Sequence, residues 1–228
     1  EQERFAELLA GIPYERKGIL YSEMFFLWLC VQQLGAKPKR VLESGRARGQ
    51  STLILARMFP DSEIVSIEYD QNSPDVPVAV ERLKNCKNVR LLYGDATRLL
   101  PEMIEQGDIV LIDGPKGFRG LRLAIEIIGS GMAPLVFVHD TIVNSNDRKF
   151  LERYLQNTLY SDPPILAAQT HQLDLAADTE IPEPLRFSPD RSHYGYGLAC
   201  LSRGANFHTR RLLLLAAWAG FRERWHHS

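Results

Sequence analysis

The stretch Arg40-Val-Leu-Glu43-Ser44-Gly45-Arg46-Ala47-Arg48-Gly49-Gln50-Ser51-Thr52 decides the fold. Residues 40–43 read as a strand, a glycine loop follows, and residues 51–59 read as a helix. A strand that turns through glycines into a helix aims free backbone N–H groups at a ligand, because the first helical turn leaves its donors without intrahelical partners. Glycine also lets the chain turn tightly and lets a ligand approach the backbone. Gly45, Gly49 and Ser51 at the helix start are therefore candidate contacts for a nucleotide-type ligand. The loop has Ala47 where the dinucleotide fingerprint has its middle glycine.

Outward from this loop the chain alternates strand-like and helical runs, the pattern of βαβ units around a mostly parallel sheet. Strands are expected at 63–67, 89–93, 109–112 and 135–138, with helices at 78–84, 99–105, 121–128 and 147–156. The run 109–112 is wholly apolar, as buried parallel strands are. Upstream, 1–10 form a short helix stopped by Gly11 and Pro13, and Ser22 caps a helix that ends near Gly35. Downstream, prolines 163, 164, 182, 184 and 189 mark a loop-rich insert, and 197–202 suit an antiparallel addition to the sheet.

Acids stand where the strands end. Glu43 precedes the glycines and would repel a pyrophosphate, whereas S-adenosylmethionine brings an ammonium and no phosphate, so Glu43 is expected to hold its cationic end. Glu68 ends the second strand, roughly 20 residues past the loop, where an acid accepts both ribose hydroxyls. Gly94-Asp95-Ala96 follows the third strand, with Asp95 placed for the adenine amine or for capping the next helix. Asp113-Gly114-Pro115-Lys116 and His139-Asp140-Thr141 end the fourth and fifth strands. Two strand-end carboxylates can hold a divalent cation that activates a substrate hydroxyl. Lys116, its pKa depressed by that cation, or His139 would take the proton.

These residues resemble the small class I O-methyltransferases over about Leu20 to Thr141, with weaker agreement to Ser202. The loop is similar to the macrocin and cephalosporin-biosynthesis version of the glycine motif. The resemblance implies S-adenosylmethionine as cofactor, held by Glu43, Gly45, Gly49, Ser51, Glu68, Asp95, Ala96 and Asp113, with the segment Tyr21-Ser22-Glu23 closing over the methionine end. Asp113 to Lys116 resembles the catechol-type segment that supplies a metal-binding Asp and a catalytic Lys. It implies Mg2+ held by Asp113, Asp140 and Thr141, although Thr141 departs from the family's Asn. Asp113, Lys116 and His139 are the catalytic candidates for methylating a small-molecule or sugar hydroxyl.

The expected fold is α/β: a Rossmann-like, doubly wound, mostly parallel seven-stranded sheet with helices on both faces. One domain spans 1–228, with N-terminal helices at 1–36, a cofactor core at 37–160, a substrate insert at 161–196 and a C-terminal helix at 209–227. His171, His193, Tyr194 and Tyr196 of the insert are candidates to face substrate or to pack.

Composition bounds the alternatives. With 45% hydrophobic and 24% charged residues the chain is an ordinary globular one. A net charge of -1 gives no bulk attraction to nucleic acid. Cys30, Cys86 and Cys200 are far apart and lack zinc spacing, which suits free thiols in a reducing, cytoplasmic setting. The sequence begins at Glu1 rather than Met, which suggests a native start upstream, and shows no signal peptide. The apolar run 212–221 is too short to span a bilayer. Arg210, Arg211, Arg222 and Arg224 flank it, so the helix packs on the domain or on a second subunit as a homodimer, or lies on a membrane surface. The rival functions are a non-catalytic S-adenosylmethionine-binding protein, to which Arg46 and Arg48 in the loop would point, a nicotinamide-dependent dehydrogenase, and aminopropyl transfer.

Overall fold

The computed structural model describes residues 1–16, 18–35, 37–188, 194–205 and 207–226. Seven strands form one sheet: β1 (Arg40–Ser44), β2 (Glu63–Glu68), β3 (Val89–Tyr93), β4 (Ile109–Ile112), β5 (Leu135–His139), β6 (Leu159–Tyr160) and β7 (Leu198–Ser202). Their order is β3-β2-β1-β4-β5-β7-β6. The first five are parallel, and β7 runs antiparallel to both β5 and β6. The order reverses between β1 and β4, and in such sheets ligands bind in the crevice beyond the carboxyl ends at this switch point. The late antiparallel strand matches the sequence reading, whereas the two-residue β6 is too short to leave a pattern.

Side-chain alternation along the strands sorts the core into two layers. Val41, Ile64, Ile109, Leu111 and Phe137 face one cluster. It is covered by α1 (Gln2–Leu9), α2 (Tyr21–Gln32), α3 (Gln50–Met58) and α4 (Asp75–Leu83). Leu42, Val65, Val110, Ile112 and Val136 face the other. That one is covered by α5 (Ala96–Met103), α6 (Gly117–Ser130), α7 (Asn146–Tyr154) and α9 (Thr209–His226). β4 is buried and apolar on both faces, which is why it reads as a continuous apolar run.

Three boundaries differ from the sequence reading for local reasons. Asp95 caps α5 by accepting from Thr97 N, so the helix opens at Ala96 rather than at 99. Ser22 does not cap α2: the helix opens at Tyr21 after Leu20, and Glu23 reaches back to Leu20 N at 2.8 Å. The insert is more regular than its prolines suggest. It holds α8 (Pro164–Thr170), where proline is tolerated at the helix start, followed by three short 3-10 turns.

Candidate active site

The glycine loop is fixed by close backbone packing. Gly45 has φ +88, and a Cβ there would stand 2.7 Å from Asp113 C and from Gly114 N. Only glycine admits both the conformation and the approach. Glu43 lies beneath the loop, fully buried. Its Oε1 accepts from Ser51 Oγ, and its Oε2 accepts from Thr52 Oγ1 and, at 2.6 Å, from Ser66 Oγ. Burial raises its pKa, while the three hydroxyls work against the rise. Glu43 and Ser51 thus spend their polar atoms on each other, tying β1 and β2 to the start of α3.

Glu68 Oε2 accepts from Ala47 N at 2.8 Å and its Oε1 from Tyr69 N at 2.9 Å, so the end of β2 is pinned to the tip of the loop. Asp95 Oδ1 accepts from Thr97 N and Oγ1, and Oδ2 pairs with Arg119 Nη2 at 2.7 Å. The hydrogen bonds from Thr97 hold its pKa below the usual range. Capping, the plainer of the two expected roles, is therefore present. Arg46, whose presence in the loop was unexpected, turns under it. Its guanidinium is buried, donates from Nη1 to Ser66 O at 2.7 Å and lies 5.0 Å over the Tyr93 ring. Arg48 turns outward to Glu15 at 3.2 Å and Asp75 at 3.9 Å.

At the ends of β4 and β5 charges answer charges. His139 is buried with a carboxylate at each nitrogen: Asp113 Oδ1 is 2.6 Å from Nδ1 and Glu23 Oε2 is 3.1 Å from Nε2. Burial alone would lower the imidazole pKa, but Asp113 and Glu23 outweigh it and hold it well above its ordinary value. Lys116 Nζ bridges Asp113 Oδ1 and Asp140 Oδ2, the latter at 2.6 Å. Burial would lower its pKa too, and the two carboxylates raise it instead. Asp113 in turn is held below the carboxylate range, His139 and Lys116 overcoming the cost of its burial. Lys116 thus faces two carboxylates, and each nitrogen of His139 faces one. Asp140 sits at φ +62, a left-handed conformation an Asp tolerates at a cost.

Ligand atoms of Asp113, His139 and Asp140 lie within 4.8 Å of one another, the spacing of a metal site. The donor set does not fit a resident divalent ion, however. The Lys116 ammonium already bridges the two carboxylates such an ion would need, and the imidazole nitrogen facing Asp113 is held protonated. Thr141, the third expected ligand, is fully buried, and its Oγ1 has no hydrogen-bond partner among the described residues.

The start of α2 closes the acceptor side, but through its backbone. Tyr21 N and Ser22 N donate at 2.8 and 3.2 Å to the buried carboxylate of Asp174, which the insert supplies. Burial, helped by Glu23, pushes Asp174 up to about 7. The Tyr21 hydroxyl donates to Ile12 O at 3.1 Å. In the insert, the Tyr196 and His139 rings are 6.0 Å apart, while His171 packs 5.0 Å from Phe187 and 5.4 Å from Tyr194. His193, and His227 of the expected C-terminal helix, lie outside the described residues.

Comparison with known proteins supports this geometry. Residues 37–112 match a family model described as "Putative methyltransferase". No curated protein matches the chain. Among solved structures, cofactor-bound Rv0187 from MTB is 19% identical over 89% of this chain and 88% of that one, with a TM-score of 0.53. The O-methyltransferase TomG of Streptomyces achromogenes, involved in tomaymycin synthesis and solved with SAM, is 17% identical over 89% of each chain, at 0.51. A Pyrococcus horikoshii protein described as "a putative RNA methyltransferase" is 14% identical over 91% of this chain and 98% of that one, also at 0.51. The chain has the class I methyltransferase fold. The matched family segment spans β1 to β4 and so takes in Glu43, the glycine loop, Glu68 and Asp95.

Sequence reasoning named Glu23 only within the segment Tyr21-Ser22-Glu23, and missed Asp174 and the buried pair of Arg148 with Asp162 (3.1 Å), whose arginine also donates to Thr141 O at 3.2 Å. Glu23 had left a signal, being the one charge in the otherwise apolar helix α2. Asp174 left none, because its partners stand more than 150 residues away.

Proposed function

We propose that the chain is an S-adenosylmethionine-dependent methyltransferase that methylates a hydroxyl of a small molecule, sugars included, by direct in-line transfer. The observation that carries this reading is the Glu68 carboxylate on Ala47 N. An acid at this position also serves a dinucleotide's ribose, and what disfavours a nicotinamide cofactor is Glu43, the acid buried beneath the loop where a pyrophosphate would lie. S-adenosylmethionine carries no phosphate, and its ribose hydroxyls are donors that Glu68 can accept. Gly45, Gly49, Asp95 and Ala96 complete the cofactor side, and the insert shapes the acceptor side.

Glu23 Oε1 and Thr141 Oγ1 are buried without hydrogen-bond partners among the described residues, and buried polar atoms ordinarily have one. They are the groups we assign to the acceptor hydroxyl. Its oxygen attacks the sulfonium methyl, the C–O bond forms as C–S breaks, the electron pair stays on sulfur, and the proton passes to the Glu23 carboxylate. The donor is already activated, so most of the work is proximity and orientation. Lys116 and His139 hold the surrounding carboxylates in place, and transfer is expected to need no Mg2+.

Calorimetric titration with S-adenosylmethionine tests the cofactor. Glu68→Ala should weaken binding by roughly ten- to a hundredfold, the value of a hydrogen bond to a charged group. Release of S-adenosylhomocysteine with a panel of hydroxylated acceptors, unaffected by EDTA, tests the reaction. A folded, ligand-free protein that binds no S-adenosylmethionine sinks the reading. Binding without turnover on any acceptor would favour a sensor.

A further inference from the structure

The outer face of α9 is apolar in a way the fold does not use. Toward α6 the helix buries Leu212 and Ala216 and sets Gly220 against Phe118. Away from it stand Leu214, Trp218, Phe221 and Trp225, which are 73%, 61%, 50% and 72% exposed. At about 100° per residue the four fall within an arc of roughly 60°. Their rings form a ladder, with centroids 6.0 Å apart from Trp218 to Phe221 and 6.1 Å from Phe221 to Trp225. Arg210 lies on one side of the arc and Arg211 and Arg222 on the other, each roughly 50–70° from its centre. Glu223, the one acid in the helix sequence, falls on the opposite side and accepts from Asn146 Nδ2 at 2.8 Å. The basic rim continues beyond α9. Arg153, His208 and Arg211 line a cavity of about 440 Å³ on one flank, and Arg122 lines one of about 400 Å³ on the other.

We infer that α9 lies in the plane of an anionic lipid surface, with its aromatic stripe among the acyl chains and its arginines on the headgroups. An apolar stripe rich in Trp, Phe and Leu between cationic flanks is what an interfacial helix requires. A second copy of the chain is the poorer occupant. Residues flanking an apolar helix seam decide helix pairing, and here all three flanking charges are positive, so two copies would set arginine against arginine. No described helix is long and apolar enough to cross a membrane. The surface is independent of the catalytic reading.

Flotation of the full chain with vesicles tests it, comparing phosphatidylcholine alone with equal parts phosphatidylcholine and phosphatidylserine. The protein should float with the anionic vesicles at least roughly tenfold more tightly than with the neutral ones, and its tryptophan emission should shift to the blue. Trp28 is buried and will not contribute to the shift. Trp218→Ser with Trp225→Ser should abolish both signals. Arg210→Gln, Arg211→Gln and Arg222→Gln together should cost roughly a hundredfold, about fivefold per arginine, with an unchanged melting temperature. Three results would overturn the inference: no flotation of folded protein, a stable dimer that depends on α9 and ignores vesicles, or quenching by single-stranded polynucleotide without vesicle binding.

Discussion

At the ends of β1, β2 and β3 the acids are answered mainly by neutral donors: Glu43 by three hydroxyls, Glu68 by two backbone N–H groups, and Asp95 by Thr97 with an exposed Arg119 alongside. At the ends of β4 and β5 they are answered by cations, Asp113 and Asp140 by Lys116, and Asp113 and Glu23 by His139. Neutral donors fix a carboxylate without supplying a counter-charge. At the ends of β4 and β5 three carboxylates, Glu23, Asp113 and Asp140, share two cations, Lys116 and His139, so removing one cation strands the carboxylates it serves.

Gly45 is where the two sides touch, and it gives the largest expected effect. Gly45→Val forces a branched side chain onto φ +88 and into the backbone of Asp113 and Gly114. Backbone strain and overpacking together should cost about 3 kcal/mol or more, a fall in melting temperature of roughly 10 °C, with loss of cofactor binding. A melting temperature like that of the wild type would show that the loop and the end of β4 are not coupled.

Next in size is the contrast between a cation and a hydroxyl. His139→Ala leaves Glu23 and Asp113 without their shared counter-charge and should destabilise by about 3–5 kcal/mol. Ser51→Ala removes one of three donors to Glu43 and should cost only about 1 kcal/mol. Equal losses would erase the distinction between the two sides. The pH dependence adds a check. Because folding raises the His139 pKa, its contribution is full below the unfolded value near 6.5 and is lost as pH rises through the folded value. Melting curves of the wild type should therefore fall on the alkaline side, and those of His139→Ala should fall less.

Asp174→Asn probes the contact that closes the acceptor side. Folding raises this carboxyl to about 7, so the folded chain binds its proton more tightly than the unfolded chain and stability declines from about pH 4 to pH 7. The Asn variant should match the wild type in acid and exceed it above neutrality. A variant less stable than the wild type in alkaline buffer would mean that the ionised carboxylate at the helix start is favourable.

The smallest effect is expected at Asp95. Removing this helix cap with Asp95→Ala should cost about 1 kcal/mol of stability. Cofactor binding should weaken by roughly tenfold if the carboxylate also meets the adenine. Calorimetry separates the two.

The same contrast explains what the sequence made legible. Glu68 and Asp95 could be read because their partners are set by the strand–loop–helix unit itself: Thr97 follows Asp95 by two residues, and Ala47 lies in the loop that defines the motif. The strand runs were equally plain, since burial on both faces leaves β4 wholly apolar. The acceptor side was located but misjudged. Asp113, Lys116, His139 and Asp140 were all named, yet their protonation depends on Glu23, which reaches them from a helix 116 residues away in sequence from His139. A depressed Lys116 was the natural expectation with a cation beside it. The structure sets two carboxylates there instead.

The reach of Asp174 to Tyr21, across 153 residues, has a consequence for the order of assembly. Contacts between distant parts of a chain form late, and during synthesis the N-terminal portion emerges first. By the time β4 has left the ribosome, β1 to β3, the glycine loop, Glu68 and Asp95 are all present and able to pair. The start of α2 must wait for the insert. A nascent chain would thus assemble the glycine loop and the strand-end acids of β1 to β3 well before Asp174 arrives to fix the start of α2.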